Sequence, residues 1–436
     1  MEQTDFYGLG IAPNILTVLD KTGFKVPTPI QAKAIPAGLE GKDVMGLAQT
    51  GTGKTLAFGI PMIQACLNGA QGVVILPTRE LALQVEETFI KVGGPLGIKT
   101  ALLIGGASMD RQLQQLRKGP SVVIGTPGRI IDHLEQKTMS LKNVSILVLD
   151  EADRMLDMGF APQLKRILAQ VPPADKRQTM LFSATMPNDI VAMANSYMKL
   201  PLRIEVAPPG TAAAKATQEL FFVSKNDKPR LLERLLGEYR GSVLVFTRTK
   251  FGAKRIAALV RHLGHTAAEL HSNRSLNQRR EALEGFRNGR YRVLVATDIA
   301  ARGIDVKGIE LVINFDLPSV AEDYVHRIGR TARAGAAGHA ISFAMPDERR
   351  DVMDIERVLR AALPQSKLPE LPPARQVALP TRSERPPFGR GARGGYGGGH
   401  GTRSGGHGPS AGRGTHRSHD SHGSGYAPRP SRRPRR

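Results

Sequence analysis

Apolar residues in the first two hundred positions fall into short unbroken runs separated by stretches with a helical repeat. Val73-Val74-Ile75-Leu76, Val122-Val123-Ile124 and Ile146-Leu147-Val148-Leu149 show no polar alternation, so both faces of each predicted strand must be covered. Between them the spacing predicts amphipathic helices such as Glu80 to Lys91. Buried strands alternating with helices imply a parallel sheet between two helical layers. Ala207-Pro208-Pro209-Gly210-Thr211-Ala212-Ala213-Ala214 breaks this rhythm and reads as a linker. A second series follows, with strands at Leu220 to Val223, Val243 to Phe246, Val293 to Ala296 and Leu311 to Phe315, and helices such as Lys250 to Leu263. It ends near Leu363-Pro364, and from about Pro372 Gly, Arg, Ser, His and Pro take over. So few aliphatic side chains cannot offset ordering entropy, and that segment is expected to be disordered. The predicted organisation is two α/β domains, 1–205 and 217–363, a linker at 206–216 and a basic tail at 364–436.

Charge sharpens this picture. The formal net charge is +22, and residues 375–436 carry 13 Arg against two acids, Glu384 and Asp420, which is 13 − 2 = +11. A strongly basic chain meets polyanions, nucleic acid before anionic membrane. The single cysteine, Cys66, excludes an internal disulfide and suits a reducing compartment. Met1 to Asp5 carries acids and no apolar run, and no stretch reaches the roughly 18 apolar residues of a membrane span. A cytoplasmic location is therefore expected.

Two motifs carry chemistry. Ala48-Gln49-Thr50-Gly51-Thr52-Gly53-Lys54-Thr55 lies between a strand-like Val44 to Leu47 and a helix-like Leu56 to Leu67. Glycines let backbone N–H groups turn toward phosphate, Lys54 can reach the outer phosphates from what is expected to be a surface loop, and the Thr55 hydroxyl can ligate Mg²⁺. Ala48 stands where the general pattern has Gly. Asp150-Glu151-Ala152-Asp153 follows the run Ile146 to Leu149, where a carboxylate at a strand end can hold Mg²⁺ beside such a loop. The bland alternatives are a glycine-rich turn and an acidic helix start.

In this order the two motifs resemble the DEAD-box family of superfamily 2 RNA helicases, and the resemblance continues through residues 6–345. It implies two recA-like domains that bind ATP and single-stranded RNA in the cleft between them. Phe24 to Gln31 resembles the Q motif, with Gln31 reading adenine and Phe24 packing on its ring, and Phe6 resembles the upstream aromatic. Pro77-Thr78-Arg79, Gly105-Gly106 and Thr126-Pro127-Gly128-Arg129 resemble RNA-contacting motifs, as do Gln278-Arg279 and the stretch with Thr297, Arg302 and Gly303. Asp305 would accept from the ATP ribose. Ser183-Ala184-Thr185 resembles the motif that couples hydrolysis to unwinding, and Arg330 and Arg333 resemble arginine fingers, although Ala332 replaces the usual Gly. Asp150 would hold the metal and Glu151 would polarise water. The short Arg/Gly tail looks like that of bacterial RhlE-type members. The resemblance implies a monomer acting on single strands and short duplexes, in ribosome assembly or RNA decay. An ATP-independent RNA chaperone and a DNA-directed helicase stay open as alternatives.

Overall fold

The computed structural model describes residues 5–48, 51–206, 216–301, 309–331 and 338–373. Its strands form two sheets in which every pairing is parallel. The first holds β1 (Val44–Leu47), β2 (Gly72–Ile75), β3 (Thr100–Leu103), β4 (Val122–Gly125), β5 (Ile146–Asp150), β6 (Gln178–Ser183) and β7 (Leu202–Glu205), in the order β3-β4-β2-β5-β6-β1-β7. The second holds β8 (Ala216–Phe222), β9 (Val243–Phe246), β10 (Ala267–Leu270), β11 (Val293–Ala296), β12 (Leu311–Asn314) and β13 (Gly338–Ala344), ordered β10-β11-β9-β12-β13-β8.

The unbroken apolar runs have the predicted cause. In β2, Val74 packs into one helical layer while Val73 and Ile75 pack into the other. In β9, Leu244 and Phe246 divide from Val243 and Val245 in the same way. Phe6 is buried in the first core. β8 begins earlier than the apolar run Leu220 to Val223. Its polar start, Thr217-Gln218-Glu219, pairs with β13 through backbone groups, which ask nothing of side-chain polarity.

The tail boundary at 364 needs correction. The Leu220 N–H donates to the Pro364 carbonyl and the Ser366 N–H to the Leu220 carbonyl, so residues 364–366 line the far side of β8. Arg230 Nε then donates to the Pro372 carbonyl at 2.7 Å, and Leu371 packs on the second core. Three prolines and polar neighbours hid this strap from a periodicity reading, because it is held by backbone carbonyls. The proposed linker core, 207–215, and the chain from 374 lie outside the described residues.

Candidate nucleotide and RNA site

In a parallel sheet all strands end on one edge, and ligands gather beyond those ends. The phosphate loop follows β1, Asp150 ends β5, and Ser183 ends β6 between them. Gln49 and Thr50 lie outside the described residues. Gly53 has φ 90°, and its carbonyl accepts from Gln31 Nε2 at 2.9 Å. A Cβ on Gly53 would lie 2.4 Å from that nitrogen, so only glycine fits. Gln31 Oε1 in turn accepts from the Thr28 N–H at 2.9 Å. Both polar atoms of Gln31 thus bind backbone and tie the Q-like segment to the phosphate loop. Phe24 is half-buried, with Lys91 Nζ 4.8 Å from its ring centroid. Phe24, Thr55, Glu87 and Lys91 line a cavity of about 570 Å³ together with Arg287 of the second domain. A nucleoside fits such a volume.

Lys54 does not project into solvent as expected. It is 5% exposed, and its Nζ lies 3.7 Å from Asp150 Oδ1 with no hydrogen-bond partner among the described residues. Burial pushes the Asp150 carboxyl up to about 6, against the pull of Lys54 and with a further push from Glu151. A buried cation without a hydrogen bond beside a carboxylate whose charged form burial disfavours is a charge set that an incoming phosphate and cation would complete. The donors suit Mg²⁺: one carboxylate, Asp150, and the half-buried Thr55 hydroxyl, the remaining ligands being phosphate oxygens and water. No cluster of three or more His, Cys, Asp or Glu with metal-binding geometry occurs among the described residues.

Glu151 is in the left-handed region, φ 54° and ψ 49°, a conformation non-glycine residues keep only when their surroundings impose it. Its N–H donates to Asp150 Oδ1 at 2.9 Å, and its carboxylate turns back to accept from Arg154 Nη1 at 2.5 Å. Asp153 reaches the other way. Its Oδ2 accepts from the Thr185 N–H and Oγ1, each at 2.8 Å, and from the Ala184 N–H at 3.1 Å, while its own N–H donates to Ser183 Oγ at 3.4 Å. A tripeptide almost mute in sequence is fastened to the acidic tetrad.

The residues of the first domain expected to contact RNA follow β2, β3 and β4 on the same edge. Thr78 caps the helix Arg79–Gly93, accepting from the Leu81 N–H at 3.3 Å, behind a buried Pro77. Arg79 lies on Gly105-Gly106: a Cβ on Gly106, whose φ is +77°, would be 2.3 Å from Arg79 Nη1. Thr126 opens the helix Pro127–Glu135, leaving Gly128 exposed, and Arg129 Nη1 donates to the Ala107 carbonyl at 3.2 Å. Arg279, from the helix Leu276–Arg287 of the second sheet, places Nη2 2.9 Å from Glu80 Oε2. The Arg79 guanidinium is held below its ordinary value by burial first, then by Arg279 and Arg129. Arg79 thus feels the positive charge of Arg129 from its own sheet and of Arg279 from the other. Gln278 does something plainer than expected: it forms a capping box with Ser275, its Oε1 accepting from the Ser275 N–H at 3.1 Å. Thr297 sits half-buried at the end of β11. Arg302, Gly303, Asp305 and Arg333 lie outside the described residues.

Arg330 is buried, with Nε donating to the His326 carbonyl at 3.2 Å. Arg327, given no role from sequence, grips both oxygens of Asp298 at 2.5 and 2.7 Å, donates to the Asp316 carbonyl at 2.6 Å, and lies over Phe246. Its partners are distant in sequence, so only its place within a basic cluster signalled it. Arg154 of the first domain lines one small cavity with Asp298, Asp323, Arg327 and Arg330 of the second. The residue that follows the acidic tetrad and the segment that carries Arg330 therefore border one cavity.

Comparison with known proteins agrees with this geometry. Residues 28–193 match the DEAD/DEAH box helicase family and 227–335 the helicase conserved C-terminal domain. The chain is 44% identical over 369 residues to the ATP-dependent rRNA helicase RRP3 of Candida albicans, covering 84% of this chain and 69% of that protein. It is 42% identical over 372 residues to the DEAD-box ATP-dependent RNA helicase CshA of Geobacillus kaustophilus, covering 84% and 79%. S. cerevisiae Dbp5 bound to RNA and ADP BeF3 superposes with a TM-score of 0.74 at 30% identity, covering 84% of this chain and 96% of that one. The chain belongs to the DEAD-box family of ATP-dependent RNA helicases, with two recA-like domains. These relatives, one fungal and one bacterial, show the family as a whole rather than its RhlE-type branch.

Proposed function

We propose that the chain couples ATP hydrolysis to local separation of short RNA duplexes through closure of its two domains. One observation carries the reading: Lys54, Asp150 and Glu151 stand on one sheet, Arg330 on the other, and the cavity lined by Arg154 and Arg330 joins them. Lys54 takes the outer phosphates, Phe24 and Gln31 border the base, and Asp150 with Thr55 holds Mg²⁺. The metal, when bound, neutralises charge on the phosphates. Glu151 orients the attacking water, and Arg330 and Arg333 stabilise the charge that develops on the transferred phosphoryl group. A finger of this kind typically contributes about 10³–10⁵ in rate.

RNA spans the two domains along Arg79, Arg129 and Arg279 and favours the state in which the fingers are in place, which is differential binding to that state. Asp153 and Thr185 transmit nucleotide state to this surface. Pro77, Thr78, Gly106, Thr126, Gly128, Thr297, Arg302 and Gly303 shape the path of the strand, and Asp305 accepts from the ribose. The tail from 375 adds phosphate attraction without sequence preference. No helix among the described residues is long and apolar enough to cross a membrane. The proposal further takes the chain as a monomer in the cytoplasm, serving ribosome assembly or RNA decay. RNA-stimulated ATP hydrolysis by the purified chain tests it. Glu151→Gln should abolish turnover yet bind RNA more tightly with ATP present, because the amide keeps shape and leaves Asp150 its cation. Weaker RNA binding than wild type would contradict the role, and stimulation by DNA equal to that by RNA would redirect it to DNA.

A further inference from the structure

Phe251 is 72% exposed, the most exposed aromatic side chain among the described residues. It lies in the first turn of the helix Lys250–His262, which follows β9. Three contacts fix that turn. Thr249 Oγ1 accepts from the Gly252 N–H at 3.0 Å, Lys250 Nζ lies 5.4 Å from the Phe251 ring centroid, and the same Nζ donates to Asn273 Oδ1 at 3.2 Å. An isolated exposed apolar side chain is ordinary, but here a ring is held in place at the surface amid positive charge. The helix carries Lys250, Lys254, Arg255 and Arg261 and no acid. Lys254 and Arg255, three and four positions beyond Phe251, share its face and are exposed. In the second sheet β9 stands next to β11, and β11 next to β10. β11 leads to Thr297, and the loop after β10 carries Asn273 and runs into the helix of Arg279. Phe251 therefore follows a strand end beside those that lead to two residues on the proposed RNA path.

We propose that Phe251 is a stacking platform for one unpaired base of the bound RNA strand. Lys254 and Arg255 attract the phosphates that flank that base, and Lys250 keeps the ring in position. Every base has a π-face, so the contact needs no particular sequence. It does need a base free of its neighbours, because the faces of bases inside a duplex are already covered. The second domain thereby gains a base contact that favours single strands, in addition to its contacts with the backbone. The inference rests on the RNA path proposed above and adds to it a residue that touches a base.

The test measures binding of the full chain to a short RNA single strand with a non-hydrolysable ATP analogue present. Phe251→Ala should weaken binding about tenfold, a size typical of one base stacked on an aromatic ring. Phe251→Trp should retain the affinity, while Phe251→Leu, apolar but without a π-face, should not. The dependence on salt should keep its slope, because no phosphate contact is removed. The same strand is then made abasic at one position at a time. At one position, loss of the base should weaken the wild-type chain about tenfold and leave Phe251→Ala unaffected, the coupling expected of two groups in contact. Equal affinity of Phe251→Ala and wild type for the intact strand would overturn the proposal and leave the ring to solvent or a protein partner. A loss that persists on every abasic strand would also overturn it, because the ring would then act through the backbone. Thermal unfolding accompanies each variant; if Phe251→Ala does not fold, Phe251→Leu takes its place in the abasic series. RNA-stimulated ATP hydrolysis by the wild-type chain separates the two levels. Without it the proposed function itself fails; with it, and with no coupling at any position, only the role of Phe251 falls.

Discussion

Breaking the Glu80–Arg279 pair should loosen the two domains, and the structure sets the size of the effect. Glu80 is 4% exposed and its Oε2 lies 2.9 Å from Arg279 Nη2. Burial pushes the Glu80 carboxyl up, and Arg279 is the largest influence opposing that push. Arg279→Met therefore leaves a desolvated carboxylate without its counter-ion. Removing one partner of a buried pair typically costs about 3–5 kcal/mol, and the lower end suits a pair at the lip of a cleft. At 1.4 kcal/mol per decade, about 3 kcal/mol is roughly a hundredfold shift away from the juxtaposed arrangement. The RNA concentration for half-maximal ATP hydrolysis should rise by up to that factor. Loss of a phosphate contact would also weaken RNA binding, so Glu80→Gln is added to the same chain. Because most of the penalty is the stranded charge, the double variant should regain most of the lost affinity. A double variant as impaired as Arg279→Met would refute the reasoning and leave Arg279 as an RNA ligand alone, recognisable by a salt slope lower by about 0.7.

Lys54→Ala should abolish ATP hydrolysis and drive the Asp150 carboxyl higher still, because Lys54 is what pulls it down. A folded-state value raised from 3.8 to about 6 means the native protein holds its proton longer than the unfolded chain. That contribution to stability is present below pH 3.8 and is lost as pH rises through about 6; in the variant the loss should move to higher pH, read from nucleotide-free melting temperatures. Gly106→Ala should displace Arg79, given the 2.3 Å approach, and weaken RNA binding while basal ATP binding is kept; unchanged affinity would show that Arg79 has room to yield. Removing residues 375–436 takes away +11 of the +22 charge, and half of its 13 arginines engaged would lower the salt slope by about four units, with turnover at saturating RNA retained. An unchanged slope would make the tail a solubilising extension.

Much of the architecture was legible from residues alone. Runs such as Val73 to Leu76 are apolar throughout because both faces are covered, and that property depends only on composition and period. The phosphate loop and the acidic tetrad were legible because backbone geometry at a strand end is a local matter that Gly53, Lys54 and Asp150 specify by type. Relations between distant segments were not. That Gln31 clasps the Gly53 carbonyl, that Asp153 fastens Thr185, and that Arg279 meets Glu80 depend on which strand ends the order β3-β4-β2-β5-β6-β1-β7 and the docking of a second sheet bring together. Burial was hidden too: Lys54 reads as a loop residue, yet the surrounding elements close over it and leave its charge facing Asp150. The chain's pattern determined two parallel α/β units and the kinds of group available for chemistry. Tertiary structure decided which of those groups share a low-dielectric space, and so which charges are strained and which are matched. Desolvation and Coulomb energy depend on three-dimensional distance, and sequence separation does not encode that distance.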